Sequence, residues 1–324
     1  MARNATESEP LLSRRVHPVE GVPSSGDQMS TGLPHEDART DFARERRRRA
    51  LARIAARLRS EPDDVSLMLP FEEVVAALGR RGQRDLGVQA IPLDTVVGTV
   101  DRRRGEFDRA FRPASTGTRS RWEAIAAARR RGEEMPPIDV FRIGELHFVQ
   151  DGHHRVSVAR ALGDTHVDAH VTEVLTQVAP DRGLVLKDLP LKRHERVFGE
   201  RVPLPAAARA QIVLSDEWRY AQLATLVESW GFRASHARGR LLSREEMALA
   251  WFTEEYEHVV RVLRESDAGG AGTDAERYLR IAMLRFLLLQ THDWSDETIA
   301  RLLGEARAGG VDDTMVHMIL REMT

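Results

Sequence analysis

Two β-rich runs, Ile138 to Ile143 and Leu146 to Gln150, are separated only by Gly144-Glu145 and run straight into Asp151-Gly152-His153-His154-Arg155. Few architectures accommodate that order. A glycine at the first position of a two-residue loop suits a type II′ hairpin. Beyond the motif, Val158, Ala159 and Leu162 mark one face of a short helix that Gly163 closes. Val167, Ala169 and Val171 then alternate with Asp168, His170 and Thr172, the pattern of a half-buried strand.

Upstream, Ile91 to Val97 reads as a short strand, and Arg121 to Arg131, with Trp122, Ile125 and Ala126, reads as a helix ended by Gly132. Pro136-Pro137 blocks its continuation. The order strand, helix, strand, strand, sharp turn, helix, strand assigns residues 87–176 to one α+β domain.

The flanks differ in texture. Residues 1–40 are rich in Ser, Pro, Gly, Glu and Asp, with Leu11 and Leu12 the only adjacent large apolar pair, and are expected to be a disordered tail. Residues 41–86 read as an arginine-rich helical segment. In it Leu51, Ile54, Ala55 and Leu58 fall at helical spacing, with Arg44, Arg46 to Arg49, Arg53, Arg57 and Arg59 around them. Those arginines fit either a nucleic-acid footprint or the solvated face of a helix docked by its apolar stripe. No aromatic residue stands among those arginines to stack on bases, and the docked helix is the reading taken.

Residues 177–205 read as a Pro- and charge-rich connector, and residues 206–324 as a helical bundle. Capping-box spacing at Ser243/Glu246 and Thr273/Glu276 marks two helix starts, with Ser215 and Ser295 as further N-cap candidates. Tyr220, Leu223, Ala224, Val227 and Trp230 form one apolar stripe, and Val259, Val260 and Leu263 another. Tyr278 to Leu289 is apolar nearly all round and should sit at the bundle centre.

Composition narrows the chemistry. The 324 residues include no cysteine, so disulfides, thiolate metal clusters and thiol nucleophiles are excluded. A net charge of −2 gives no global attraction to polyanions, so any such attraction must be local. No run reaches the roughly 18–20 apolar residues of a membrane span. Glu7, Glu9, Arg14 and Arg15 interrupt any secretory pattern, so a soluble, cytoplasmic protein is expected.

The candidate site is the turn itself. A glycine there lets the chain bend close to a ligand, and the first free N–H groups of the following helix point at an anion. Gly152, His153, His154 and Arg155 are the expected phosphate-binding residues. Arg155 can make a bidentate contact, and either histidine can add a hydrogen bond or, when protonated, a charge. Asp151 is the candidate catalytic residue, orienting a hydroxyl or acting as a base. Arg102, Arg103, Arg104, Arg109 and Arg112 add local positive charge. His166, Asp168 and His170 share a strand face and resemble metal ligands, but alternation alone produces such a face and no metal site is assigned.

Ile91 to Glu173 resembles the ParB/sulfiredoxin superfamily. The matching pieces are Ile91-Pro92-Leu93, Arg121 to Gly132, Pro136-Pro137-Ile138-Asp139-Val140, Leu146 to Gln150, and Gly152-His153-His154-Arg155. The resemblance implies an α+β ParB/sulfiredoxin-like domain followed by a mostly α-helical C-terminal domain. It also implies nucleotide binding at the turn, since ParB partition proteins bind CTP whereas sulfiredoxins and free-serine kinases use adenine nucleotides. CTP or ATP/ADP, with Mg2+, is therefore the expected cofactor. Asp151 and Gly152 look most like the kinase branch.

The departures are informative. Sulfinic-acid repair is excluded by the missing cysteine. Val156 replaces the second arginine of ParB partition proteins, and no helix-turn-helix pattern follows. A free-serine kinase would need an upstream carboxylate, for which Asp94, Asp101 and Glu106 are candidates. The expected function is a nucleotide-binding ParB-like protein, nucleotide-responsive and regulatory or chromosome-associated. An ATP/ADP-dependent phosphotransferase of the free-serine-kinase type, or a nucleic-acid-binding protein or nuclease, is the alternative. The implied partner is a nucleotide; DNA and a homodimer stay open, and a membrane is not expected.

Overall fold

The computed structural model describes residues 31–60, 66–101, 105–266, 270–289 and 291–307. Residues 1–30 of the expected tail, Arg102 to Arg104 and the end of the bundle lie outside them. The chain opens with α1 (Pro34–Leu58), β1 (Leu69–Pro70), α2 (Phe71–Leu78), β2 (Arg80–Pro92) and β3 (Val96–Thr99). Then come α3 (Arg119–Arg130), β4 (Ile138–Ile143), β5 (Leu146–Asp151), α4 (His153–Leu162) and β6 (His166–Thr176). These form an α+β unit around a mixed six-stranded sheet ordered β1-β3-β5-β4-β6-β2.

The hairpin lies at the sheet centre. β4 and β5 pair antiparallel with Ile143 opposite Leu146, and Gly144 has φ +58. Glu145 is not among the positive-φ residues, which makes the turn type II′. Alternation then sorts side chains to two faces. Ile138, Val140, Val149, Ala169 and Val171 pack under α1, α3 and α4. Ile143, Leu146, Phe148 and Val174 meet α2 and the start of α5 (Leu189–Arg201) on the other.

Several boundaries differ from the sequence reading. α1 begins at Pro34, within the expected tail, because proline at the first helical position and Glu36 and Asp37 in the first turn favour a start there. β2 begins at Arg80, inside the expected helical segment. It is an edge strand paired only with β6, and its charged residues hide the alternation that would announce it. The expected connector contains α5, in which Pro190 initiates the helix rather than blocking it.

The largest correction concerns how α1 docks. The stripe expected to be buried faces water: Leu51 is 66%, Ile54 55% and Leu58 82% exposed. Ala38, Asp41, Phe42 and Glu45 are buried instead. Phe42 meets Trp122 of α3 edge-on at 5.5 Å, and Arg130 donates to Asp41 through Nε and Nη2 at 2.9 and 2.6 Å. An ion pair between a helix and its support leaves no trace in apolar periodicity.

The C-terminal helices are α6 (Ala206–Arg209), α7 (Glu217–Ala237), α8 (Arg244–Trp251), α9 (Glu257–Glu265), α10 (Asp274–Leu284) and α11 (Asp296–Arg307). They share one apolar core with the end of α5, in which Tyr220, Leu223, Trp251, Val259, Tyr278 and Ile281 are buried. Both capping boxes form, with Ser243 Oγ accepting from the Glu246 N–H at 3.1 Å and Thr273 Oγ1 from the Glu276 N–H at 3.2 Å. Ser215 does not cap α7; Asp216 does, while the Ser215 hydroxyl donates to Glu276 at 2.5 Å.

Candidate functional site

β5 ends at Asp151 and α4 begins at His153, so the whole change of direction falls on Gly152, at φ +101 and ψ 18. A side chain is excluded there twice over. The left-handed conformation is strained for L-residues, and a Cβ would come 2.4 Å from Ile138 Cγ2. The first intrahelical bond runs from the Val156 N–H to the Gly152 carbonyl at 3.0 Å. The amides of His153, His154 and Arg155 therefore have no helical acceptor, and no side chain of the described residues caps them.

His153 is anchored to β3. Its Nε2 lies 2.7 Å from Thr99 Oγ1, which also accepts from the Asp101 N–H at 2.9 Å. Burial lowers its pKa below the ordinary histidine value, opposed by Asp101, Asp151 and Glu106. His154 is pushed down to about 4 by burial, then by Arg121 and His153, and its Nδ1 is buried without a partner. Both imidazoles are therefore neutral at pH 7. They offer hydrogen bonds rather than charge, and the attraction for an anion falls to the backbone.

Arg155 is engaged by its own chain. Its Nη1 donates to the carbonyls of Pro136 and Pro137 at 2.7 and 2.6 Å, and its Nη2 to Asp151 at 2.5 Å. Its side chain is 16% exposed, against 61% for Asp151. The guanidinium braces α4 to the entry of β4. An incoming phosphate would meet it by replacing Asp151, the exposed and exchangeable partner.

Of the upstream carboxylates, Asp101 and Glu106 act on His153 electrostatically, whereas Asp94 acts on Arg160. Sequence reasoning missed Thr99 and the aromatic pair Phe107 and Phe111. Their rings lie 5.2 Å from His154 and 6.2 Å from His153, respectively. Phe111 is a non-glycine residue at φ +58, a strained backbone that persists only where its surroundings hold it. Nothing in the local sequence marks it.

Comparison with protein-family models, curated proteins and solved structures finds no match. The site is therefore read from its own geometry. His166, Asp168 and His170 lie on β6, and His170 is 3.0 Å from Asp85 and 3.6 Å from Asp139. Among the described residues no group of three His, Asp or Glu side chains is arranged to hold a metal ion. No helix among them is long and apolar enough to cross a membrane.

Proposed function

We propose that this protein binds a nucleotide through the first turn of α4 and is a nucleotide-responsive protein of the ParB/sulfiredoxin-like kind. The observation that carries this reading is the uncapped triplet of amides at His153, His154 and Arg155 that follows the left-handed bend at Gly152. Such a turn binds phosphate by fixed dipoles. The donor set fits a nucleotide accompanied by Mg2+, an ion that commonly takes one or two carboxylates and completes its shell from phosphates and water. Asp101, Glu106 and Asp151 are the carboxylates around His153.

Those same carboxylates favour one second reading, a phosphotransferase of the free-serine-kinase type. There Asp151 or an upstream carboxylate takes the proton of an acceptor hydroxyl while the amides hold the transferred phosphate. Titration calorimetry of the full chain with CTP, ATP and ADP in the presence of Mg2+ tests the first reading. One nucleotide should bind; silence from all three removes it. Phosphorylation of serine or a related hydroxyl compound in the same mixtures would select the second.

A further inference from the structure

Beyond Glu45, α1 leaves the surface it docks on and roofs a cleft of about 710 Å³ over the 105–112 loop and the start of β3. Arg49, Arg53 and Arg57 stand on the helix side, and Arg109, Arg112 and Arg160 line the rest. Among the described residues, Asp94 and Asp108 are the carboxylates that line it. Asp108 is largely taken up by its own loop, accepting from Arg112 Nε at 2.9 Å and from the Ala110 and Arg112 N–H groups at 3.0 and 2.9 Å.

Among the described residues, arginines outnumber carboxylates in the lining. The side chains of Arg53 and Arg57 have no ion pair or hydrogen bond among the described residues. Arg49 Nε and Arg109 Nη1 are buried without acceptors, the nearest carboxylate to the former being Asp108 at 3.9 Å. Burial lowers the pKa of Arg49, Arg109 and Arg160 against the pull of nearby carboxylates, and each also donates to a backbone carbonyl, Arg49 to Ala114, Arg109 to Leu184 and Arg160 to Val96. The helix dipole accounts for Arg57, in the last turn of α1, but not for Arg53 one turn earlier. The cleft's lining does not include Gly152, His153 or His154, although Phe107, which lines it, packs 5.2 Å from the His154 ring and Arg160 lies 5.2 Å from Phe111.

We propose that the cleft binds the sugar–phosphate backbone of a single-stranded nucleic acid. Residues four apart on a helix are about 6 Å apart along its axis. That step suits successive phosphates of a stretched strand, not the tighter spacing within a di- or triphosphate. Ala52 and Ala56, which line the cleft between the arginines, keep its wall low. The cleft is in the size range of small-molecule pockets, a scale suited to a few nucleotides of one strand. Phe107, the one aromatic lining residue among those described, is buried, so contact is to backbone and to guanidinium planes and binding tolerates sequence.

Fluorescence anisotropy of a labelled oligothymidylate with the full-length protein tests this, alongside the Arg53→Ala/Arg57→Ala double variant. Neither side chain has a partner among the described residues, so the variant should keep the parent's melting temperature and circular dichroism. The expected result is strand binding that weakens on the order of tenfold in the variant. Its slope of log affinity against log salt should be shallower by about 1.4, for two lost contacts on a single strand. Nucleotide binding at the α4 turn, measured by calorimetry, should be unchanged in the variant, so either site can fail without the other. The proposal is overturned by no strand binding, by binding that the variant leaves intact, by a preference for duplex, or by displacement of the strand at equimolar inorganic tripolyphosphate.

Discussion

On the readings proposed above, the α4 turn and the α1 cleft hold anions by opposite means. At the turn the histidines are neutral, carboxylates stand close by, and attraction comes from backbone amides that a single glycine aims. In the cleft it would come from guanidinium groups, of which those of Arg53 and Arg57 have no partner among the described residues. Fixed dipoles select a ligand by shape at short range; excess charge selects by phosphate number and is screened by salt. If both readings hold, one domain presents a specific and a general anion surface.

The comparison breaks most visibly if the two surfaces do not separate under mutation. Phe42→Ala empties the contact that docks α1 and should cost about 3–5 kcal/mol by denaturant unfolding. Among molecules that remain folded, strand binding should disappear while nucleotide binding stays. Gly152→Ala should do the reverse. Its left-handed φ and the clash with Ile138 should together cost about 3 kcal/mol in urea unfolding and abolish nucleotide binding, with the strand still bound.

Salt sharpens the contrast further. Raising it from about 50 to about 200 mM should weaken strand binding roughly 50-fold if four phosphates are contacted. Nucleotide affinity should move far less. Stability also depends on pH. His154 and the buried His147 both have folded values of about 4 against an ordinary 6.5, so the unfolded chain takes up more protons between those values. Their contribution to stability is present above pH 6.5 and is lost as pH falls toward 4. Melting temperatures should drop across that window and drop less in His147→Gln. Nucleotide affinity that rose on acidification through pH 6.5 would show a charged histidine at the turn and undo the contrast.

Legibility followed the same divide. The hairpin, the bend and α4 could be read because glycines at fixed positions and alternating apolar residues report local conformation directly. The bundle stripes were legible for the same reason: Tyr220, Leu223 and Val227 are buried as their spacing requires. What sequence concealed was decided by partners far away in the chain. The docking of α1 depends on Asp41 meeting Arg130 across 89 residues, and its apolar stripe, read as the buried face, is exposed. Motif chemistry made Arg155 a phosphate clamp, but it donates to the Pro136 and Pro137 carbonyls, a contact that no spacing rule contains. The cleft exists only because the 105–112 loop folds back beneath a helix lying some fifty residues earlier.

A crystal structure of the protein with its best-binding nucleotide and Mg2+ tests the central claim most directly. Phosphate oxygens should accept from the amides of His153, His154 and Arg155, with Asp151 displaced from Arg155 Nη2. Phosphates seated among Arg49, Arg53 and Arg109, with the Asp151–Arg155 pair intact and nothing at the α4 turn, would contradict it.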